Sequence, residues 1–443
     1  MAEDLVDNII GDYEIFEMVG KGSFATVWVG RNRITNCPVA VKQFTKNEIN
    51  SNEVLATMHR EISIMRMLNH PLIVDLYEVV ETEDNIFMIL EYVENDTLLE
   101  YVNMSSPIGE NKARMFFAQI IAVMHYLHSE KRVVHRDLKA ENVLLDRNGN
   151  IRVIDFGLSN VLNQTTSSLN TACGSSAYVA PEMLMNQPYT QSADIWSAGI
   201  LLYAINASHL PFEDKNVTRL IDKVLHESPV FPVGFSTHLT DLITKMLSKN
   251  PEQRITLEGI IQHPWFTSDQ MGTPLVYNIG AVDEYRMLSD PLHFNLDESV
   301  LNQVKSFGID VSCLKEDIML NKMTRATAAY RSIYKEKVTD SMVMLSDEIM
   351  FKAERHLSFS TLTLNIPEAM LQLPPLKSGN QKRLGTPQSK IPLKATHNLY
   401  GTFPSINKIP SRGPGQVLSL LVPNVKSRTS TVQTRVIGKP TRQ

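Results

Sequence analysis

His135-Arg136-Asp137-Leu138-Lys139-Ala140-Glu141-Asn142 sets a carboxylate, an ammonium and a carboxamide within six consecutive positions, Asp137 to Asn142. Thirteen residues after Asn142 comes Asp155-Phe156-Gly157, led in by apolar Val153-Ile154. Alone, Asp-Phe-Gly is a turn after a strand. In register with the octamer it is more than that. Six residues of the octamer match one fixed pattern. At roughly 5% usage each, a chance match is on the order of one in tens of millions per start position.

Upstream, the chain reads mostly as strands: Tyr13–Val19, Ala25–Val29, Val39–Val41, Val74–Val80 and Ile86–Leu90. One helix interrupts them, with Ile62, Met65 and Leu68 on one face and His70-Pro71 as its stop. Val19-Gly20-Lys21-Gly22-Ser23-Phe24-Ala25-Thr26-Val27 joins the first two strands. Two glycines two apart let backbone N–H groups approach a phosphate chain, although the glycines alone suit a hairpin turn as well. No Gly-Lys-Ser/Thr opens a helix here, so this is not a Walker loop. Val39-Ala40-Val41-Lys42 follows. A lysine on a buried strand is costly unless its charge is paired, and the helix downstream offers Glu61. The plainer alternative is an edge-strand lysine reaching water.

From about residue 97 the period becomes helical, through Ala113–Leu127, Ser192–Asn206 and shorter stretches near 217–226, 236–247 and 256–262. A strand-rich part followed by a larger helical part implies an α+β protein of two lobes with a cleft between them. Residues 267–293 read as a linker. Residues 294–338 read as three short helices: Glu298–Ser306, Val311–Asn321 and Thr324–Lys335. From about 360 the chain gains Pro, Ser and Thr, and 360–443 reads as a disordered basic tail.

The 443 residues allow two to four domains and a large core without disulfide or metal staples. Three scattered cysteines exclude a disulfide framework and a zinc knuckle, and suit a reducing compartment. There is no run of 18 apolar residues, and MAEDLVDNII lacks a signal pattern. A cytoplasmic or nuclear location is the expectation. The net charge of −5 hides an asymmetry. After Glu368 there are 12 Lys plus Arg and no acid, leaving 31 basic against 48 acidic residues before it, a net −17. Such a tail suits acidic lipid, or the acidic body itself, by weak contact. With only Tyr400 and Phe403 as aromatics, it lacks the interleaving that specific nucleic-acid binding needs.

These motifs resemble eukaryotic protein kinases, strongly over residues 13–266, with 13–93 as the N-lobe and 94–266 as the C-lobe. The resemblance implies ATP-dependent phosphorylation of protein substrates with Mg2+. It makes Lys42 the holder of the α- and β-phosphates, paired with Glu61. It makes Asp137 the acceptor of the substrate hydroxyl proton and Lys139 the cation at the transferring phosphate. Asn142 and Asp155 would hold the metal, and Phe156 would set the active or inactive state. The loop Val19–Val27 would cover the phosphates, with Ala25 where a third glycine is usual. Val27, Ala40 and Leu144 would sandwich adenine, beside Glu91 and Val93 of the hinge, with Leu90 at the gatekeeper position.

Thr171-Ala172-Cys173-Gly174-Ser175 is similar to the activation-loop phosphosite of AMP-activated and related kinases. Leu158-Ser159-Asn160 and His263-Pro264-Trp265 point to the same branch of the calcium/calmodulin-dependent group. Thr171 is then a switch for an upstream activating kinase, with Arg136 as the cation that meets its phosphate. Asp194 would hydrogen-bond the catalytic-loop backbone, and Glu182 and Arg254 would form a buried ion pair. Residues 294–338 look like the ubiquitin-associated-type module of this branch. Two departures stand out. Asn95-Asp96-Thr97 replaces the usual Gly-Gly-Glu, with Asp96 or Glu100 as substitutes, and Ser176 stands where proline is common. Catalytic-loop Lys139 favours Ser/Thr acceptors over Tyr. Rival readings are a nucleotide-binding scaffold without transfer activity and a docking platform in the tail.

Overall fold

The computed structural model describes residues 9–22, 25–48, 52–105, 108–161, 177–267 and 295–360. Ser23, Phe24, the stretch 162–176 with Thr171 and Ser176, the linker from 268 and the tail from 361 lie outside them. The first lobe is a six-stranded antiparallel sheet in the order β1-β2-β3-β4-β6-β5. Its strands are β1 (Ile9–Ile10), β2 (Tyr13–Lys21), β3 (Thr26–Asn32), β4 (Pro38–Thr45), β5 (Leu76–Glu81) and β6 (Asn85–Glu91). Helix α1 (Asn52–Met67) lies between β4 and β5 in sequence. Alternation in β4 sends Val39 and Val41 into a core with Tyr13, Ile15, Phe87 and Ile89, and leaves Ala40 and Lys42 on the other face. At Gly30 an added Cβ would lie 2.8 Å from the Glu14 carbonyl, so β2 and β3 require glycine there.

The second lobe is helical: α2 (Leu98–Ser105), α3 (Glu110–His125), α4 (Pro181–Leu184), α5 (Ser192–Ala207), α6 (Val217–His226), α7 (Thr237–Met246), α8 (Leu257–Ile261) and α9 (Pro264–Thr267). Helix α5 is apolar all round and is buried accordingly, with Trp196, Ile200, Leu201 and Leu202 inaccessible to water. Asn216, Ser236 and Thr256 cap α6, α7 and α8 by accepting a backbone N–H three residues on. Short strands β7 (Val133–Val134), β8 (Val143–Leu145), β9 (Ile151–Val153) and β10 (Asn160–Val161) frame the catalytic loop. Among the described residues no helix is long and apolar enough to cross a membrane.

Beyond the linker stand α10 (Glu298–Ser306), α11 (Leu314–Met319) and α12 (Arg325–Ser360). The sequence reading ended the third helix at Lys335, and the helix in fact continues to Ser360. No glycine or proline falls between 325 and 360 to stop it. Helix α12 lies against the first lobe, where Ala328 joins the cluster of Ile10, Tyr13 and Tyr77 and Arg325 pairs with Asp12.

Candidate active site

Lys42 stands on β4, an interior strand between β3 and β6, opposite Val27 and Met88. It is therefore not an edge lysine. Its Nζ lies 2.6 Å from Glu61 Oε1 on α1 and 3.8 Å from Asp155 Oδ1. Burial works against the charge, but Glu61 and Asp155 outweigh it and raise the Lys42 pKa above its ordinary value. The pair ties α1 to the sheet and aims an ammonium into the cleft. Val27 and Ala40 share the Lys42 face of the sheet, and Gly20 pairs with Val27 across β2 and β3. The backbone N–H of Gly22 donates to the Ala25 carbonyl at 2.8 Å.

The catalytic loop is held from below by α5. Asp194, 1% exposed, accepts the backbone N–H groups of His135 and Arg136, each at 2.8 Å, and bonds the His128 ring at 2.8 Å. Arg136 is thereby fixed at φ 71°, a left-handed conformation that non-glycine residues seldom adopt. Past this bend, Asp137 Oδ2 accepts from Lys139 Nζ at 2.7 Å and from Asn142 Nδ2 at 2.9 Å. Its Oδ1 has no partner among the described residues. One carboxylate oxygen is thus held by a cation and an amide, and the other is open.

Asp155 also takes a left-handed φ, 63°. Its Oδ1 accepts the Gly157 N–H at 3.2 Å. Burial raises its pKa, but Lys42 and the Gly157 N–H outweigh burial and hold it below the usual carboxylate value, so it is ionised at neutral pH. The Ile154 N–H donates to the Asn142 carbonyl at 3.0 Å, which sets the two segments side by side. Asn142 spends its amide N–H groups on Asp137 and keeps its oxygen. One free amide oxygen and one ionised carboxylate suit Mg2+, which takes few protein ligands and completes its shell with phosphates and water. Among the described residues no group of three or more His, Cys, Asp or Glu is placed to hold a metal ion. Phe156 is fully buried with its ring 4.9 Å from His135.

At the hinge, Val93 and Leu90 are partly buried against the core, and Leu144 is partly exposed between buried Val143 and Leu145. The Glu91 side chain is taken up by two cations. Arg152 Nε reaches its Oε1 at 3.0 Å and Lys335 Nζ its Oε2 at 3.2 Å. Lys335, on α12, also donates to the carbonyls of Ile73 at 2.7 Å and His70 at 3.1 Å. Arg152 further reaches Asp146 Oδ2 at 3.1 Å and donates to Thr339 Oγ1 at 2.7 Å. Sequence reasoning missed this buried network. Its only signal was a charged residue, Arg152, one step from the apolar Val153-Ile154 run. Of the two acids proposed to replace the Gly-Gly-Glu acid, Glu100 is committed to a capping box, with its Oε2 accepting from Thr97 N and Oγ1. Asp96 is exposed. Glu182 and Arg254 meet in two bonds of 2.8 and 2.9 Å, both side chains buried.

A curled sheet over a helical lobe, with a lysine–glutamate pair above and an Asp-Lys-Asn cluster below, defines the protein-kinase class of fold. The chain matches the protein kinase domain family over residues 13–266 and belongs to it. It is 36% identical over 335 residues to the SNF1-related protein kinase catalytic subunit alpha KIN12 of Arabidopsis thaliana, covering 76% of this chain and 66% of that protein. It is 42% identical over 261 residues to the CBL-interacting serine/threonine-protein kinase 12 of the same plant, covering 58% and 53%. Over 297 residues it is 37% identical to the probable serine/threonine-protein kinase MARK-A of Dictyostelium discoideum, covering 66% and 28%. The chain thus spans less than two thirds of the length of each of these curated relatives.

Proposed function

We propose that the chain transfers the γ-phosphoryl group of ATP to serine or threonine hydroxyls of proteins, with Mg2+ as its cofactor. The observation that carries this reading is the Asp137 carboxylate, held through one oxygen by Lys139 and Asn142 and open at the other. The open oxygen accepts the proton of the attacking hydroxyl as its oxygen bonds to the γ-phosphorus and the bond to ADP breaks. Lys139 meets the charge on the transferring group, and Lys42, steadied by Glu61, meets the α- and β-phosphates. When bound, Mg2+ at Asn142 Oδ1 and Asp155 would neutralise phosphate charge. With Glu100 committed to its cap, Glu141, whose Oε2 has no partner among the described residues, is the acid on which a basic preference would rest.

Thr171 is the activating phosphosite in this reading, and an upstream kinase its modifier. A phosphothreonine carries about −1.5 to −2 charges. Two charge-assisted bonds from Arg136 at roughly 1.5–3 kcal/mol each come to about 3–6 kcal/mol. Moving a segment from 1:99 to 99:1 takes about 5.5 kcal/mol, so one phosphate is enough to throw the switch. The setting is the cytoplasm or nucleus, and the basic tail makes weak contacts with acidic lipid or the acidic body. The test is transfer of labelled phosphate from ATP to a serine/threonine peptide library. Wild type should label and Asp155→Ala should not, while equal signals would favour the scaffold reading. Thr171→Ala should lower activity strongly, and a fully active Thr171→Ala protein refutes the switch.

A further inference from the structure

The residues Glu91 to Asn95 carry the chain from β6 into the second lobe, and the hairpin of β8 and β9 holds them at both ends. At the near end Arg152, on β9, brings its Nε to 3.0 Å from Glu91 Oε1. At the far end the Asn95 side-chain amide donates to the Asp146 carbonyl at 2.8 Å. Asp146 is a stiff anchor, only 6% exposed. Its Oδ1 accepts the backbone N–H groups of Asn148 and Asn150 at 2.9 and 2.8 Å, and Arg152 Nη2 lies 3.1 Å from its Oδ2. The chain then stays on β8. The Leu145 N–H donates to the Asp96 carbonyl at 3.1 Å, and Thr97 pairs with Leu144. Strand β8 starts directly after Asn142 and has Leu144 at its centre. The exit of the hinge is therefore tied to the strand that, in the proposed reaction, joins the metal-holding amide to the floor under adenine. Of these ties at the exit, only the Asn95 bond is made by a side chain of the hinge. A glycine there would leave the backbone free to pivot.

We propose that Asn95 is a positioning residue for the nucleotide: by fastening the exit of the hinge to Asp146, it fixes the adenine side of the cleft against Asn142 and slows the departure of ADP. This rests on the ATP reading above and adds to it a residue that no motif marks. The bond acts through the backbone of the hinge. A nucleotide leaves when the lobes part, and a hinge pinned to β8 parts from it less readily. The same pin holds the empty cleft in the geometry the nucleotide needs, so less freedom is lost on binding.

The full chain is prepared as wild type, Asn95→Gly and Asn95→Asp. The rate at which each releases a fluorescent ADP in the presence of Mg2+ is read by stopped flow, beside its thermal midpoint without nucleotide. Asn95→Asp keeps the size of the side chain and replaces the donor with a carboxylate facing a carbonyl oxygen, so it isolates the bond from backbone freedom. Both variants should release ADP about three- to tenfold faster, the loss of one neutral hydrogen bond. Their midpoints should stay close to wild type, because Asn95 itself is exposed. A wild type that binds no ADP overturns the ATP reading and this inference with it. A wild type that binds ADP, with both variants matching its release rate, overturns the role of Asn95 alone, whatever their midpoints. Faster release from Asn95→Gly with Asn95→Asp at the wild-type rate also overturns it, since backbone freedom and not the bond would then set the rate.

Discussion

In the proposed reaction Asp137 does two jobs with two oxygens, and the division is testable. Asp137→Asn keeps the shape but removes the acceptor, so kcat should fall by about 10²–10⁴ while peptide KM moves little. Steady-state kinetics on one peptide decide it, and a loss confined to KM would contradict the assignment. Asp194 is never in reach of substrate, yet the left-handed bend at Arg136 depends on it. Asp194→Ala leaves two backbone N–H groups and a histidine buried without their acceptor. Each lost bond costs about 1–3 kcal/mol, and the thermal midpoint should drop by several degrees. Asp137, Lys139, Asn142 and Asp155 were legible in the sequence because the chemistry of phosphate transfer packs them into eight consecutive positions and one tripeptide. Arg152 was not, because its partners Glu91 and Thr339 lie far along the chain and it carries no local pattern.

At the level of single elements, strands and helices followed their periods closely, since β4 and α1 each bury one face against a continuous core. Helix α12 broke the expectation because its buried stripe mixes alanine with lysine and threonine, which no hydrophobic count registers. Helix α10 offers a clean acid test. Asp297 caps it, accepting from Val300 N at 3.1 Å and from Lys337 Nζ at 2.6 Å. Burial opposes the charge, yet these bonds hold the carboxyl down to about 2. The unfolded value is near 3.9, so the contribution is complete above about pH 4 and disappears as the pH falls through 2. Asp297→Ala should lose about 1 kcal/mol at neutral pH in denaturant unfolding, with the difference from wild type vanishing near pH 2. A pH-independent difference would remove Asp297 from the cap.

On the scale of the whole molecule, α12 fastens the hinge from behind. Lys335 is 2% exposed and reaches Asp75 at 3.4 Å as well as Glu91. Lys335→Ala removes one of the cations facing Asp75 and Glu91 and leaves Arg152 at Glu91, so it should lower thermal stability by about 1–3 kcal/mol. Because Glu91 begins the hinge, KM for ATP should also rise, and an unchanged KM would separate the helix from the nucleotide site. The hydrogen bonds from Lys335 to His70, Ile73 and Asp75 reach back 260 to 265 positions. A ribosome releases the residues of the catalytic cleft long before it makes the lysine that neutralises the hinge acids. Until then, among the described residues, Glu91 and Asp146 share Arg152, so the charge behind the hinge is not yet balanced. The charge balance behind the hinge therefore waits on a helix that follows the whole catalytic domain in the chain.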